Sequence, residues 1–110
     1  MSRGLGKTQR ACLLALESNP DAEMNSVAIT AAIVGRSTVT PAEHSSVRRA
    51  LRKLADAGLA IDMGRGYRSG RRHWALPEVA RREYRRMADA GWRDGIPERN
   101  RYLLNREAPT

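Results

Sequence analysis

Phenylalanine is absent from the 110 residues, and two Trp and three Tyr are the only aromatic rings apart from histidine. A core must therefore be built from Leu, Ile, Val, Ala and Met, and the sequence shows no aromatic platform on which single-stranded bases would stack. Cysteine occurs once, as Cys12 in an apolar run, which excludes an internal disulfide and a Cys-rich zinc site and leaves a small buried hydrophobe as its reading. Histidine occurs twice, at His44 and His73. The two are poorly spaced for a metal centre, and neither shares a helix face with a carboxylate. His44, near the start of a helix, reads as a polar residue of the cap region. No Ser/His/Asp arrangement and no carboxylate pair is present. Gly4-Leu5-Gly6-Lys7-Thr8 lacks both the full spacing and the preceding strand of a nucleotide-binding loop. No enzyme, no metal and no cofactor is expected. No apolar run approaches the roughly 20 residues of a membrane span, and no secretory leader pattern opens the chain. The expectation is a cytoplasmic protein without a membrane.

What is abundant is arginine. Of 20 basic residues only Lys7 and Lys53 are lysine, and the formal net charge is +8 with a pI near 11.0. A guanine-plus-cytosine-rich coding sequence also produces an Arg bias, so the position of the charge carries more than its type. Residues 1–35 are neutral overall, residues 36–72 carry nine basic and three acidic residues, and residues 73–110 carry eight and six. A local excess of this kind is the electrostatic footprint of a polyanion-binding surface. Arg suits such a surface because its planar fork matches phosphate and guanine edges.

A hydrophobic content of 41% over this length fits one folded domain. A first helix is expected from about Thr8 to Ser18, stopped by Asn19-Pro20-Asp21, with Gln9, Cys12, Leu13 and Leu16 on one face and Ala11, Leu14 and Ala15 on the other. Glu23-Met24-Asn25 reads as a minimal strand. Asn25 or Ser26 can cap a second helix from Val27 to Val34, which Gly35 ends. Thr40, Pro41 and Glu43 form a capping-box start for a third helix that Gly58 stops near Ala57. Its buried face is Val47, Ala50, Leu51 and Leu54. Its outer face carries Ser45, Arg49, Arg52 and Asp56, flanked by Ser46, Arg48 and Lys53. Alternation in Leu59–Met63 predicts a strand with 59, 61 and 63 inward. Gly64–Arg72 is a glycine- and arginine-rich turn, and His73–Leu76 a returning strand with Trp74 and Leu76 on one face. Pro77-Glu78 opens a fourth helix to about Ala90, with Ala80, Tyr84 and Met87 on one side. Glu98–Arg106 is either a short helix through Tyr102, Leu103 and Leu104 or partly disordered.

This order is mainly α with a small β-hairpin: helix, short strand, helix, helix, strand, basic tip, strand, helix. Over about residues 5–77 it resembles the winged helix-turn-helix family of DNA-binding domains, in its bacterial and phage regulator form. The resemblance is sharpest in Ser46-Val47-Arg48-Arg49-Ala50-Leu51-Arg52-Lys53-Leu54-Ala55-Asp56-Ala57-Gly58-Leu59. It implies double-stranded DNA as partner, with the third helix in the major groove and the hairpin on the backbone or minor groove. Ser45, Ser46, Arg48, Arg49, Arg52 and Lys53 are then the recognition-helix residues, with Arg49 on a guanine edge and Arg52 on phosphate. Arg65, Tyr67, Arg68, Arg71 and Arg72 are the wing residues, and Arg36 and Thr40 backbone contacts.

The resemblance leaves several roles open. The expected one is sequence-specific control of transcription. The alternatives are a plasmid or phage replication or maintenance factor and a protein-interaction adaptor that has lost DNA binding; the charge of the central stretch argues against the adaptor. Residues 1–77 form the expected DNA-binding domain, and 78–110 a C-terminal helical extension. The second apolar face of the first helix, with Tyr84, Met87, Trp92 and Leu103, can supply a homodimer surface or close an intramolecular core.

Overall fold

A computed structural model describes residues 5–19, 23–65 and 70–105. Helix α1, Lys7–Glu17, starts at Gly6, whose backbone N–H donates to Oε1 of Gln9 at 3.0 Å. It buries Cys12, Ala15 and Leu16. Ala15, expected on the second apolar face, packs in the same cluster as Cys12 and Leu16 because positions 12, 15 and 16 lie within one arc of the helix. Of the second apolar face only Leu14 is well exposed, at 64%.

Helix α2, Ser26–Val34, follows strand β1, Met24–Asn25, without a linker. Asn25 is its cap and accepts from the Ala28 N–H at 2.8 Å, satisfying one free donor of the first turn. Gly35, at φ 77°, ends it. Helix α3, Pro41–Asp56, opens with the expected capping box: Glu43 N–H donates to Thr40 Oγ1 at 3.1 Å, and Thr40 N–H to Glu43 Oε1 at 2.9 Å. Its buried face is Val47, Ala50, Leu51 and Leu54, as its periodicity required.

The end of α3 corrects the next strand. Gly58, at φ 78°, donates to Ala55 O, and Leu59 N–H reaches back to Leu54 O at 2.9 Å. This paired arrangement closes the last turn and needs a left-handed residue at Gly58. With its N–H so committed, Leu59 is not a strand residue and is 40% exposed; Ala60 is buried instead. Strand β2 runs Ile61–Arg65 and strand β3 Arg72–Ala75, so the hairpin arms extend further into the basic segment than alternation indicated.

The sheet is antiparallel in the order β1-β3-β2. Ile61 pairs with Ala75 and Asp62 with Trp74, but Gly64 with His73, so Met63 is an extra residue on β2. Gly64 adopts φ 87° there, and its N–H donates to Asp62 Oδ1 at 2.9 Å. Such a bulge bends its strand and re-aims the tip.

Two hydrophobic clusters flank the sheet. Trp74 and Ala60 pack with Cys12, Ala15, Leu16, Ile29, Val47, Ala50, Leu51 and Leu54. Ile61 and Ala75 pack with Val79, Ala80, Tyr84, Ile96 and Leu103. Trp74 and Leu76 therefore do not define the inward face of β3. Trp74 and Ala75 are both buried, while Leu76 is half-buried at the start of helix α4, Pro77–Asp89.

After α4, 3-10 turns at Arg93–Gly95 and Glu98–Asn100 lead to a short helix α5, Tyr102–Asn105. The expected helix over 98–106 is thus split, and Arg106 lies outside the described residues. Buried Asn100 fixes this segment: its Nδ2 donates to Asp62 O at 2.8 Å and to Tyr84 Oη at 2.9 Å. Tyr84 and Leu103 are spent on this intramolecular cluster, whereas Trp92 is 67% exposed. The chain is mostly helical with a small three-stranded antiparallel sheet, an α+β protein.

Candidate functional site

Burial of one face of α3 leaves the other as a ridge. Around the helix axis this face runs Arg48, Arg52, Ser45, the exposed carboxylate Asp56, Arg49, Lys53 and Ser46. The four cationic residues are exposed and the two serines half-buried. The ridge separates two concavities.

One, of about 220 Å³, lies between α3 and the hairpin and is lined by Ser26, His44, Arg48, Arg52, Arg65, Gly70, Arg71, Arg72 and Trp74. The other, of about 230 Å³, lies between α3 and the start of α1, where Ser46, Arg49 and Lys53 meet Gly6, Lys7, Thr8 and Gln9. The expected single stripe is therefore divided. Arg48 and Arg52 join the hairpin arginines, while Arg49 and Lys53 join Lys7.

The hairpin cations are not equivalent. Arg65 Nη1 donates to Gly70 O at 2.9 Å and closes the base of the tip. Arg72 is half-buried, and its Nη1 donates to both carboxylate oxygens of Asp62 at 3.0 and 2.9 Å. It is a strand-pairing residue as much as a surface charge. Arg99 also reaches Asp62, at 3.4 Å. Arg71 is exposed at the groove. Tyr67 and Arg68, expected on the wing, lie outside the described residues.

Arg36 and Thr40 are engaged within the chain. The Arg36 guanidinium grips both carboxylate oxygens of Glu43, and its Nη1 also donates to Thr38 O at 2.8 Å. Glu43 is held down to about 2, chiefly by the hydrogen bond from Arg36 and then by the Thr40 N–H; the same pair pushes Arg36 up. Arg36 thus fixes the loop before α3 onto the cap of that helix.

Sequence reasoning assigns Ser26 and His44 no place at the interface, yet both line the groove. Ser26 is 3% exposed, and its Oγ lies 2.8 Å from His44 Nε2 across the α2–α3 junction. Burial, then the charges of Arg48 and Arg71, hold His44 below its ordinary value. The spacing 44, 48, 52 places His44 beside Arg48 on the helix, a signal legible in the sequence; the contact with Ser26, 18 residues away, is not.

Helix α4 carries Arg81, Arg82, Arg85 and Arg86 along a surface that also holds Glu78 and Asp89, with Glu83 paired to Arg86. Both signs alternate there, as on a solvated helix face. Burial pushes the Cys12 thiol up to about 11. Among the described residues no three His, Cys, Asp or Glu side chains gather as a metal set, and no helix is long and apolar enough to cross a membrane.

The fold and this surface define a small basic α+β protein with a cationic helix ridge beside a cationic hairpin. Comparison with known protein families, curated proteins and solved structures finds no match.

Proposed function

We propose that the chain is a winged helix-turn-helix protein that binds double-stranded DNA at selected sites, as a transcriptional regulator does. In this reading α3 enters the major groove and the β2–β3 hairpin follows the backbone or minor groove. The observation that carries the proposal is the convergence of Arg48 and Arg52 of α3 with Arg65, Arg71 and Arg72 of the hairpin around one concavity. A surface so charged attracts phosphate, and the ridge it borders is helical, polar and anchored by a fully apolar opposite face, as major-groove entry requires. The element order α1-β1-α2-α3-β2-β3 supports the same reading.

Arg36 and Thr40, first expected on the DNA backbone, act here by holding the start of α3. Arg49, on the α1 side of the ridge, is the base-reading candidate, and Arg52, on the hairpin side, the phosphate contact. Selection from random duplexes with the purified chain, followed by gel-shift titrations across salt, tests the proposal. Enrichment of a common site with a steep negative slope of log affinity against log salt is expected. A slope near zero, or no enrichment, overturns it. A palindromic site would place two copies on one duplex.

A further inference from the structure

The groove between α3 and the hairpin has a composition of its own. Five guanidiniums line it: Arg48, Arg52, Arg65, Arg71 and Arg72. The neighbouring carboxylate, Asp62, is already shared by Arg72 and Arg99, and Arg65 is turned to Gly70 O. Arg48 and Arg52, four residues apart on one face of α3, have no acidic partner among the described residues and repel each other.

We infer that this groove is a discrete oxyanion site that seats one phosphate group, with Arg48 and Arg52 as its charged arms and the Ser26–His44 pair in its wall. The inference rests on the duplex reading and deepens it: within that reading the occupant is a single backbone phosphate.

The size fits. At about 220 Å³ the groove falls below the range of pockets that hold drug-sized molecules, yet it has room for a tetrahedral oxyanion and a few waters. The chemistry fits as well. Guanidiniums give charge-assisted, bidentate hydrogen bonds to phosphate. Ser26 is buried at the groove with its hydroxyl held by His44. Burial, then the positive charges of Arg48 and Arg71, hold His44 below its ordinary value, so its ring contributes a hydrogen bond with this hydroxyl. Trp74 also borders the groove. It is 2% exposed, and its indole Nε1–H is buried with no partner among the described residues. It lines the neighbouring concavity with Asp62 and Arg99 as well, and with no exposed surface on Nε1 the indole is a wall of the groove and not a donor to its occupant.

Trp74 also makes the site measurable. In the full chain carrying Trp92→Phe, Trp74 is the only indole, and its emission is followed during titration with inorganic phosphate at constant ionic strength, with chloride as control. The expected result is a saturable change absent with chloride. Arg48→Ala or Arg52→Ala should weaken it about tenfold, the effect of losing one charge-assisted hydrogen bond, and Arg85→Ala on α4 should leave it unchanged. Ser26→Ala should weaken it less; if that variant does not fold, the two exposed arginine variants still decide. On a selected duplex, methylphosphonate replacement one phosphate at a time should reveal one position per bound copy whose cost Arg52→Ala erases, while the costs at phosphates met by other cations remain.

A linear response equal to that of chloride, or a saturable one indifferent to Arg48 and Arg52, overturns the site. If phosphate gives only the linear response while duplex binding keeps its steep salt slope, the site falls and the duplex reading stands. If phosphate binds with the expected ranking of variants and no duplex binds, the groove serves free phosphate and the duplex reading falls.

Discussion

Trp74 and Ala75 are adjacent in β3, yet they are buried in different hydrophobic clusters. The first cluster is roofed by α1, α2 and α3, the second by α4 and the turns that follow it. Removal of residues 78–110 would uncover Ile61 and Ala75 together. Burying an Ile side chain is worth about 1.5–3 kcal/mol, a large share of the stability of so small a domain. A chain ending at Pro77 is therefore expected to lose cooperative thermal unfolding, read by circular dichroism and by the dispersion of amide resonances. A sharp melt at the parental temperature would show that residues 1–77 fold alone.

Asn100 bridges Asp62 O and Tyr84 Oη from a buried position. Asn100→Ala leaves the buried Tyr84 hydroxyl without this partner and Asp62 O with only the longer bond from Arg99, at 3.3 Å, and should destabilise the chain by about 1–3 kcal/mol. Tyr84→Phe removes only the hydroxyl and leaves Asn100 bonded to Asp62, so about 1 kcal/mol is expected. Urea titrations of both variants check the order; equal losses would mean that the Asp62 bond carries nothing.

The Thr40–Glu43 box and the Arg36 clamp make the start of α3 acid-sensitive. Glu43 is held at about 2 against an ordinary 4.5. Its folded value is depressed, so the stability it contributes is present above the unfolded value and is lost as pH falls through the folded one. The stability difference between the parent and Glu43→Gln should be constant near neutral pH and vanish between those two values. Thr40→Ala should cost about 1 kcal/mol at any pH above that window. Melts of the three proteins across acid pH decide both points.

Arg49 and Arg52 lie on different sides of the α3 ridge and should fail differently. Arg49→Ala should weaken binding to a selected duplex by about 1–3 kcal/mol and leave a random duplex little affected. Arg52→Ala should weaken both by similar factors. Equal losses on both duplexes for Arg49→Ala would make it a phosphate contact.

The hairpin can be discharged without harming the fold only in part. Arg65 and Arg71 are exposed, and replacing both should leave the melting temperature nearly unchanged while the salt slope falls by roughly 0.9 for each phosphate no longer neutralised. Arg72→Ala should also lower the melting temperature, because it takes the closest cationic partner from half-buried Asp62. Salt-dependent binding beside thermal melts separates the two classes.

Local signals governed much of this fold. Asn25, Gly35, the Thr40-Pro41-Glu43 start and Gly58 set helix ends through hydrogen bonds spanning a few residues, and the periodicity of α3 set its buried face. Those features belong to the sequence because their partners lie within one or two turns. The start of β2 was displaced by the same local chemistry, since the end of α3 consumed the Leu59 N–H that a strand would have used.

The tertiary structure decided what depends on distant partners. Alternation cannot show that both faces of a strand are covered, so it assigned β3 one inward face; the second cluster, assembled from residues up to Leu103, buried Ala75 as well. Charge counting cannot separate a surface arginine from one paired in a sheet, and it grouped Arg72 with the tip, although Asp62, ten residues away, holds it. Nor does a helical wheel show which neighbours flank a ridge. The division of α3 between Lys7 on one side and the hairpin on the other, and the Ser26–His44 contact, arise only when α1, α2 and the sheet pack around the apolar face of α3.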